Sequence, residues 1–179
     1  MKIVHTFVDD LFTFWYDCSA KDELALQFSN WKDPEYLFDF FKNNHKDLHQ
    51  KIWRFISIEY AIDKTIHDAL AFECELLENP EIILNEQFKP LNDLQASPLN
   101  LNKSKCYGIE TPSWLRLYGL RVEKGVYVIT GGAIKLTHRM EERIHTNEEL
   151  LKLEKGRNFL LKENVFDSDG LVDLIEFQL

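Results

Sequence analysis

Residues able to handle an anion crowd into one part of the chain. Arg116, Arg121, Lys135, His138, Arg139 and Arg143 fall within 28 positions, close to Tyr118, Thr137 and His145. Guanidinium and ammonium groups suit phosphate oxygens, and an imidazole can give or take a proton near neutral pH. The stretch from His138 to His145 (HRMEERIH) lies between a strand pattern and a helix pattern, where connecting segments carry function. Arg116 and Arg121 are five apart, so on a strand they point to opposite faces and only one can share a face with a given site. Lys135 shares a face with Ala133 and Thr137. Nothing else in the chain offers comparable chemistry. Asp9–Asp10 and Glu73–Glu75 have no fixed facing geometry, and Gly131–Gly132 is a lone glycine pair rather than a phosphate loop. Each cation also has an ordinary reading. His138 fits an exposed loop histidine, Arg121 a sheet-surface residue with a cross-strand partner, and Lys152 and Lys155 a solvated helix face.

Charge is distributed unevenly around that region. The chain has 179 residues and a net charge of −9, yet residues 101–163 carry 12 basic and eight acidic side chains, a balance of +4. Residues 1–100 carry nine basic and 18 acidic, and residues 164–179 carry four acidic and none basic. The overall charge argues against a protein that coats nucleic acid, while the local excess hints at an anionic partner for one face. Cys18, Cys74 and Cys106 show no CxxC spacing, so neither a disulfide framework nor a metal site is expected, and no cofactor is implied. No signal-peptide pattern and no apolar run of membrane length is present, which points to the cytoplasm and away from membranes.

The elements that must position these residues can be read from periodicity. One domain is expected from the length. Val4–Tyr16 reads as two short strands around Asp9–Asp10, and Glu23–Trp31 as a third strand from its alternating Leu24, Leu26 and Phe28. Asp33–Pro34 opens a helix over 34–49, and Ser57 caps another over 58–78 that Asn79–Pro80 stops. Residues 80–113 hold four of the five prolines and read as loop-rich. Trp114–Val122, Val126–Thr130 and Ala133–Thr137 read as a three-strand antiparallel meander, with turns at Lys124–Gly125 and Gly131–Gly132. Thr146 and Glu149 form a capping-box pattern for a helix over 147–163. Its inner face is read as Leu150, Leu153, Leu160 and Leu161, with Arg157 on the same stripe. The fold class predicted is α+β, a twisted antiparallel sheet of four to six strands with helices on one side.

The order KPL (Lys89–Leu91), LRLYGLRV, VYVIT, AIKLTHR and a Thr-opened helix resembles the RelE/ParE toxin superfamily, especially its HigB-like branch and phage-borne relatives. The resemblance covers roughly residues 57–163, with residues 1–50 as an N-terminal extension and 164–179 as an acidic C-terminal segment. It implies a RelE-like core and a toxin component of a toxin–antitoxin pair, often a metal-independent endoribonuclease acting on ribosome-bound messenger RNA. The partners implied are an antitoxin protein and the ribosome or its message. Carried over by position, His138 would be the base or acid, with Arg139 and Arg121 as phosphate clamps. Lys89, Arg116, Lys135 and Arg143 would be further RNA contacts. Glu141 and Glu142 interrupt the basic segment, and the net charge is negative. These features keep two alternatives open: a non-catalytic interaction module whose acidic first 100 residues cover the basic face, and an inactive relative.

Overall fold

A leucine-rich run and a β-branched run double back at Lys124–Gly125, where Gly125 takes φ +82°, a conformation that only glycine adopts without strain. They form β5 (Leu115–Glu123) and β6 (Val126–Ile134), the middle of a six-stranded sheet in a computed structural model that describes residues 1–53, 55–91 and 101–178. The other strands are β1 (Lys2–His5), β2 (Leu11–Trp15), β3 (Lys89–Pro90) and β4 (Asn102–Tyr107), and the sheet order is β1-β2-β6-β5-β4-β3. Four neighbouring pairs are antiparallel, but β2 runs parallel to β6, with Leu11 opposite Tyr127 and Thr13 opposite Ile129. The sheet is therefore mixed, not antiparallel throughout.

The expected third meander strand over 133–137 does not exist as a separate element. Gly131–Gly132 is no turn; β6 runs straight through it to Ile134. What the glycine pair marks is a bulge. Tyr118 pairs with Gly131 but Gly119 pairs with Ile129, so Thr130 is the extra residue, and its hydroxyl donates to the Tyr118 carbonyl at 3.3 Å. The bulge exchanges the faces of the strand: Ile129 and Gly132 now look one way, Val128 and Gly131 the other. Glycine is required here because helices press from both sides. A Cβ on Gly131 would lie 1.9 Å from Glu149 Oε2, and one on Gly132 would lie 2.9 Å from the Trp31 ring and 2.9 Å from the Arg116 carbonyl. The strand antiparallel to β5 on its other side is β4, in the proline-bearing stretch read as loop.

Helices cover both faces, not one. On the first lie α1 (Glu23–Trp31), α2 (Pro34–Asn43) and α4 (Ile58–Glu78), and on the second α6 (Ile144–Lys162) and α7 (Ser168–Gln178). The first core joins Phe28, Trp31, Phe41, Phe72, Trp114, Leu117 and Ile129; the second joins Phe14, Tyr118, Leu120, Val128, Leu153, Leu160 and Ile175. Residues 23–31 are a helix and not a strand because Glu23, Leu24, Gln27, Phe28 and Trp31 are the residues buried, recurring three and four apart, while Asp22 caps Ala25 N at 3.0 Å. Asp33 and Pro34 start α2 as expected, but the helix stops at Asn44, and the short α3 (His45–Leu48) follows. Ser57 and Asn79 bound α4 as read from the sequence. Past it, α5 (Pro80–Ile82) and a π-type turn over Ile83–Gln87 lead to β3.

The start of α6 also differs. It begins at Ile144, so Thr146 lies inside the helix and its hydroxyl donates backward to the Met140 and Arg143 carbonyls. Glu149 does not close a capping box; it is tucked against Gly131. The buried stripe is Thr146, Glu149, Leu153, Gly156 and Leu160, with Leu161 and Arg157 off it. Gly156 sets that rotation, since a Cβ there would meet the Phe14 ring at 2.9 Å and the Thr130 methyl at 3.1 Å. Residues 1–50 supply two strands and the first helices of this arrangement. Among the described residues no helix is long and apolar enough to cross a membrane.

Gly132→Ala is expected to lower stability by about 1–3 kcal/mol, because a backbone carbonyl and a buried Trp ring must both give way. Urea unfolding should show a lower midpoint at an unchanged slope; a midpoint equal to that of the parent would refute the close approach.

Candidate functional site: a cationic cleft on the second sheet face

Register places four polar side chains together. Lys105 lies opposite Tyr118 and Tyr107 opposite Arg116 across β4 and β5, and directly opposed residues share a face. The Arg116 guanidinium stacks 3.8 Å over the Tyr107 ring. The segment leading into β5 is pinned to α4: buried Asp68 accepts from Glu110 N at 2.8 Å and from the Ser113 hydroxyl, which in turn accepts from Leu115 N at 3.0 Å. Arg116 is then held by the chain just ahead of it, Nη1 donating to the carbonyls of Ser113 (2.9 Å) and Leu115 (2.6 Å). That leaves Nη2 and Nε of its donor fork for other partners.

After β6 the chain curls. Lys135 Nζ donates to the Thr137 and His138 carbonyls at 2.9 and 2.5 Å, Thr137 Oγ1 donates to the Arg139 carbonyl at 3.1 Å, and Arg139 N donates to Glu142 Oε1 at 2.6 Å. This curl faces the β4–β5 quartet across a cleft of about 880 Å³. Ile52, Trp53, Leu91, Met140 and Leu150 complete the walls, with Trp53 Nε1 donating to the Leu136 carbonyl at 2.8 Å. His138 and Arg139 are exposed at the rim beside Glu141 and Glu142, while Lys105, Arg116 and Lys135 are half-buried within.

The electrostatics follow from that layout. Burial, then the neighbouring charges of Arg116 and Lys105, hold the Lys135 ammonium below the usual lysine range. Burial likewise lowers Arg116. Among the described residues the hydrogen bonds of Lys105, Arg116 and Lys135 go to carbonyl oxygens, while Glu142 and Glu141 pull on Lys135, and Asp68 on Arg116, without a direct ion pair. At the back of the cleft Tyr118 is 1% exposed, and its hydroxyl has no hydrogen-bond partner among the described residues. Burial raises that phenol, so it stays a protonated donor. Glu149 lies over Gly131, the residue paired with Tyr118, and its Oε2 is also unpartnered. One ammonium, Lys152, serves two buried carboxylates, lying 3.0 Å from Glu149 and 3.0 Å from Glu23. Burial outweighs that attraction and pushes Glu149 up to about 7.

A scan against protein-family models finds none that matches the chain, and searches of curated proteins and of solved structures return no match. The site therefore rests on its own geometry. Of the residues singled out in the sequence, Arg116, Lys135, His138 and Arg139 meet in the cleft. Arg121 falls on the opposite sheet face, exposed, with Nε donating to the Glu123 carbonyl at 3.4 Å. Lys89 is exposed on edge strand β3, opposite Lys105 but outside the lining. Arg143 grips Asp47 with Nε at 2.8 Å and Nη2 at 2.5 Å, a two-pronged pair that ties α3 to the segment before α6. The sequence reading missed Lys105, Tyr107 and Trp53, and named Tyr118 only as a neighbour of the cations. The alternation of Lys103, Lys105 and Tyr107 was the available signal for the first two, masked by the prolines around it. Among the described residues no group of His, Cys, Asp or Glu side chains could hold a metal ion.

Glu149 carries a pH signature. Its folded value exceeds the ordinary 4.5, so its contribution is fully present below about 4.5 and is lost as pH rises through about 7. Parent stability should fall by on the order of 3 kcal/mol between pH 4.5 and pH 8 from this group, and Glu149→Gln should flatten that fall. Equal pH slopes for parent and variant in urea titrations would rule this out.

Proposed function

We propose that this chain is a toxin-like component of a toxin–antitoxin pair and that its cleft binds and cleaves RNA. The observation that carries the reading is the convergence of Lys105, Arg116 and Lys135 beneath a rim that holds His138 and Arg139. The cleavage requires little. A ribose 2′-oxygen forms a bond to the adjoining phosphorus, the bond from phosphorus to the 5′-oxygen breaks, and a cyclic phosphate and a 5′-hydroxyl result. His138 takes the proton from the 2′-hydroxyl or supplies one to the departing oxygen. Arg139 stabilises charge that grows on the phosphoryl oxygens, and the inner cations hold an RNA phosphate beyond the scissile one. In this reading Arg116 takes the place first given to Arg121, and Lys105 joins it. An antitoxin protein and messenger RNA, free or on the ribosome, are the partners that go with this activity.

A second reading, a non-catalytic interaction module, is favoured by one observation. Acidic residues of the first half already neutralise basic residues of the second, Asp47 on Arg143 and Glu23 on Lys152. Inducible bacterial expression separates the two. The parent should arrest growth with loss of intact messenger RNA, and the double change His138→Ala with Arg139→Ala should abolish both while the protein stays folded. Arg121→Ala, on the far sheet face, should behave as the parent. Arrest by the double variant would sink the site assignment, and no arrest by the parent would leave the interaction module standing.

A further inference from the structure

We infer that the inner end of the cleft, between Lys105, Arg116 and Lys135, takes a dianionic phosphate, the terminal phosphomonoester of an RNA strand or nucleotide. This deepens the RNA reading above and rests on it.

The first ground is charge without a direct ion pair among the described residues: Glu142 and Glu141 attract Lys135, and Asp68 attracts Arg116, only through space. Four other half-buried cations form ion pairs: Lys32 meets Glu73, Lys103 meets Glu154, Arg143 meets Asp47 and Lys152 meets Glu23 and Glu149. The contrast within β4 is direct, since Lys103 and Lys105 share a face and only Lys103 has a carboxylate beside it among the described residues. Three cations arrive at the inner end from three segments (β4, β5 and the curl after β6), each steadied by a carbonyl. An internal phosphodiester brings one negative charge and two carbon substituents that must both lead back out. A terminal phosphate brings a charge of about −1.5 to −2 and three strong acceptor oxygens, which matches three separate donors.

The second ground is Tyr118. It lines the same inner end, and its buried hydroxyl is a donor without an acceptor among the described residues. A native structure seldom leaves such a group unpaired, and an oxygen-rich ligand or an ordered water satisfies it. The third ground is the rim. A strand threaded along the cleft would lay successive phosphates against Glu141 and Glu142, whereas a strand entering by its end places one phosphate inside and the rest outside. Tyr107, 39% exposed and backed by Arg116, offers a face on which the first base can stack, which favours a nucleotide over a phosphorylated peptide.

The test is equilibrium binding to the full chain by calorimetry. The probes are one RNA tetranucleotide with a 5′-phosphate, with a 3′-phosphate and with neither, a nucleoside monophosphate, inorganic phosphate and a phosphoserine peptide. One phosphorylated tetranucleotide should bind about tenfold or more tightly than the unphosphorylated one. Lys105→Gln should erase most of that preference, and Arg116→Gln serves as a second variant should the first fail to fold. A nucleoside monophosphate that matches the best oligonucleotide would assign the site to a free nucleotide. Equal binding of phosphorylated and unphosphorylated RNA would overturn the inference and leave RNA binding intact. Tight binding of the phosphopeptide alone would overturn the RNA reading, and no binding by any probe would overturn both.

Discussion

The close approach of two helices to one strand governs this molecule. At Gly131 and Gly132, α6 comes down on one side of β6 and α1 on the other, and no side chain larger than hydrogen fits between. The Thr130 bulge is the backbone's accommodation of that squeeze, for it lets two consecutive residues each meet a different helix. Much else follows from it. The parity change at Thr130 sends Ile134 to the first core and Ala133 to the second, and it fixes where β6 ends and the lysine-bearing curl begins. Gly156 in α6 and Gln27 and Trp31 in α1 are the complementary surfaces that make the approach possible.

The cleft occupies the part of the second sheet face that α6 leaves uncovered. Over β6 the helix packs tightly and the face is apolar. Over β4 it reaches Lys103 through Glu154, and past that pair the face carries Lys105, Tyr107 and Arg116. The same sheet face is thus core at one end and an ionic recess at the other. The cations lose some hydration where they sit, which is why burial leads among the causes that lower both Arg116 and Lys135. A charge in that state gains more from an incoming anion than it would on an open surface.

Much of this was legible in the sequence, and the misreadings share physical causes. Two helix starts and one stop were legible because they are local chemistry: Ser57 and Asn79 bound α4, and Asp33–Pro34 opens α2, whereas Thr146 and Glu149 make no cap. Gly131–Gly132 reads as a turn because local sequence offers few other reasons for glycine inside a strand; the actual reason, two helices distant in sequence, is not local. Residues 23–31 satisfy both a period of two at Leu24, Leu26 and Phe28 and a helical one at Leu24, Phe28 and Trp31. Burial on one side by Phe72 and Ile129 settles it. Of the cleft lining, residue type and order single out Arg116, Lys135, His138 and Arg139. Arg121 could not be told from Arg116 without knowing which face carries the cleft. Arg143 could not be removed without knowing that Asp47, 96 positions earlier, reaches it. Lys105 was hidden because its strand lies among prolines.

The Asp47–Arg143 pair has a further consequence. Asp47 is buried, also accepts from Gln50 Nε2 at 3.2 Å, and sits just ahead of the Ile52–Trp53 wall of the cleft. The wall and the curl that carries His138 and Arg139 are therefore fastened to each other by a strut between the two halves of the chain. A minimal fragment that begins near residue 57 would retain every cation of the cleft and still lose its shape. It would be left with an unopposed guanidinium at the strut, a missing wall, and the edge of β6 stripped of its parallel neighbour β2. In this molecule the acidic first half is the scaffold on which the basic second half becomes a site.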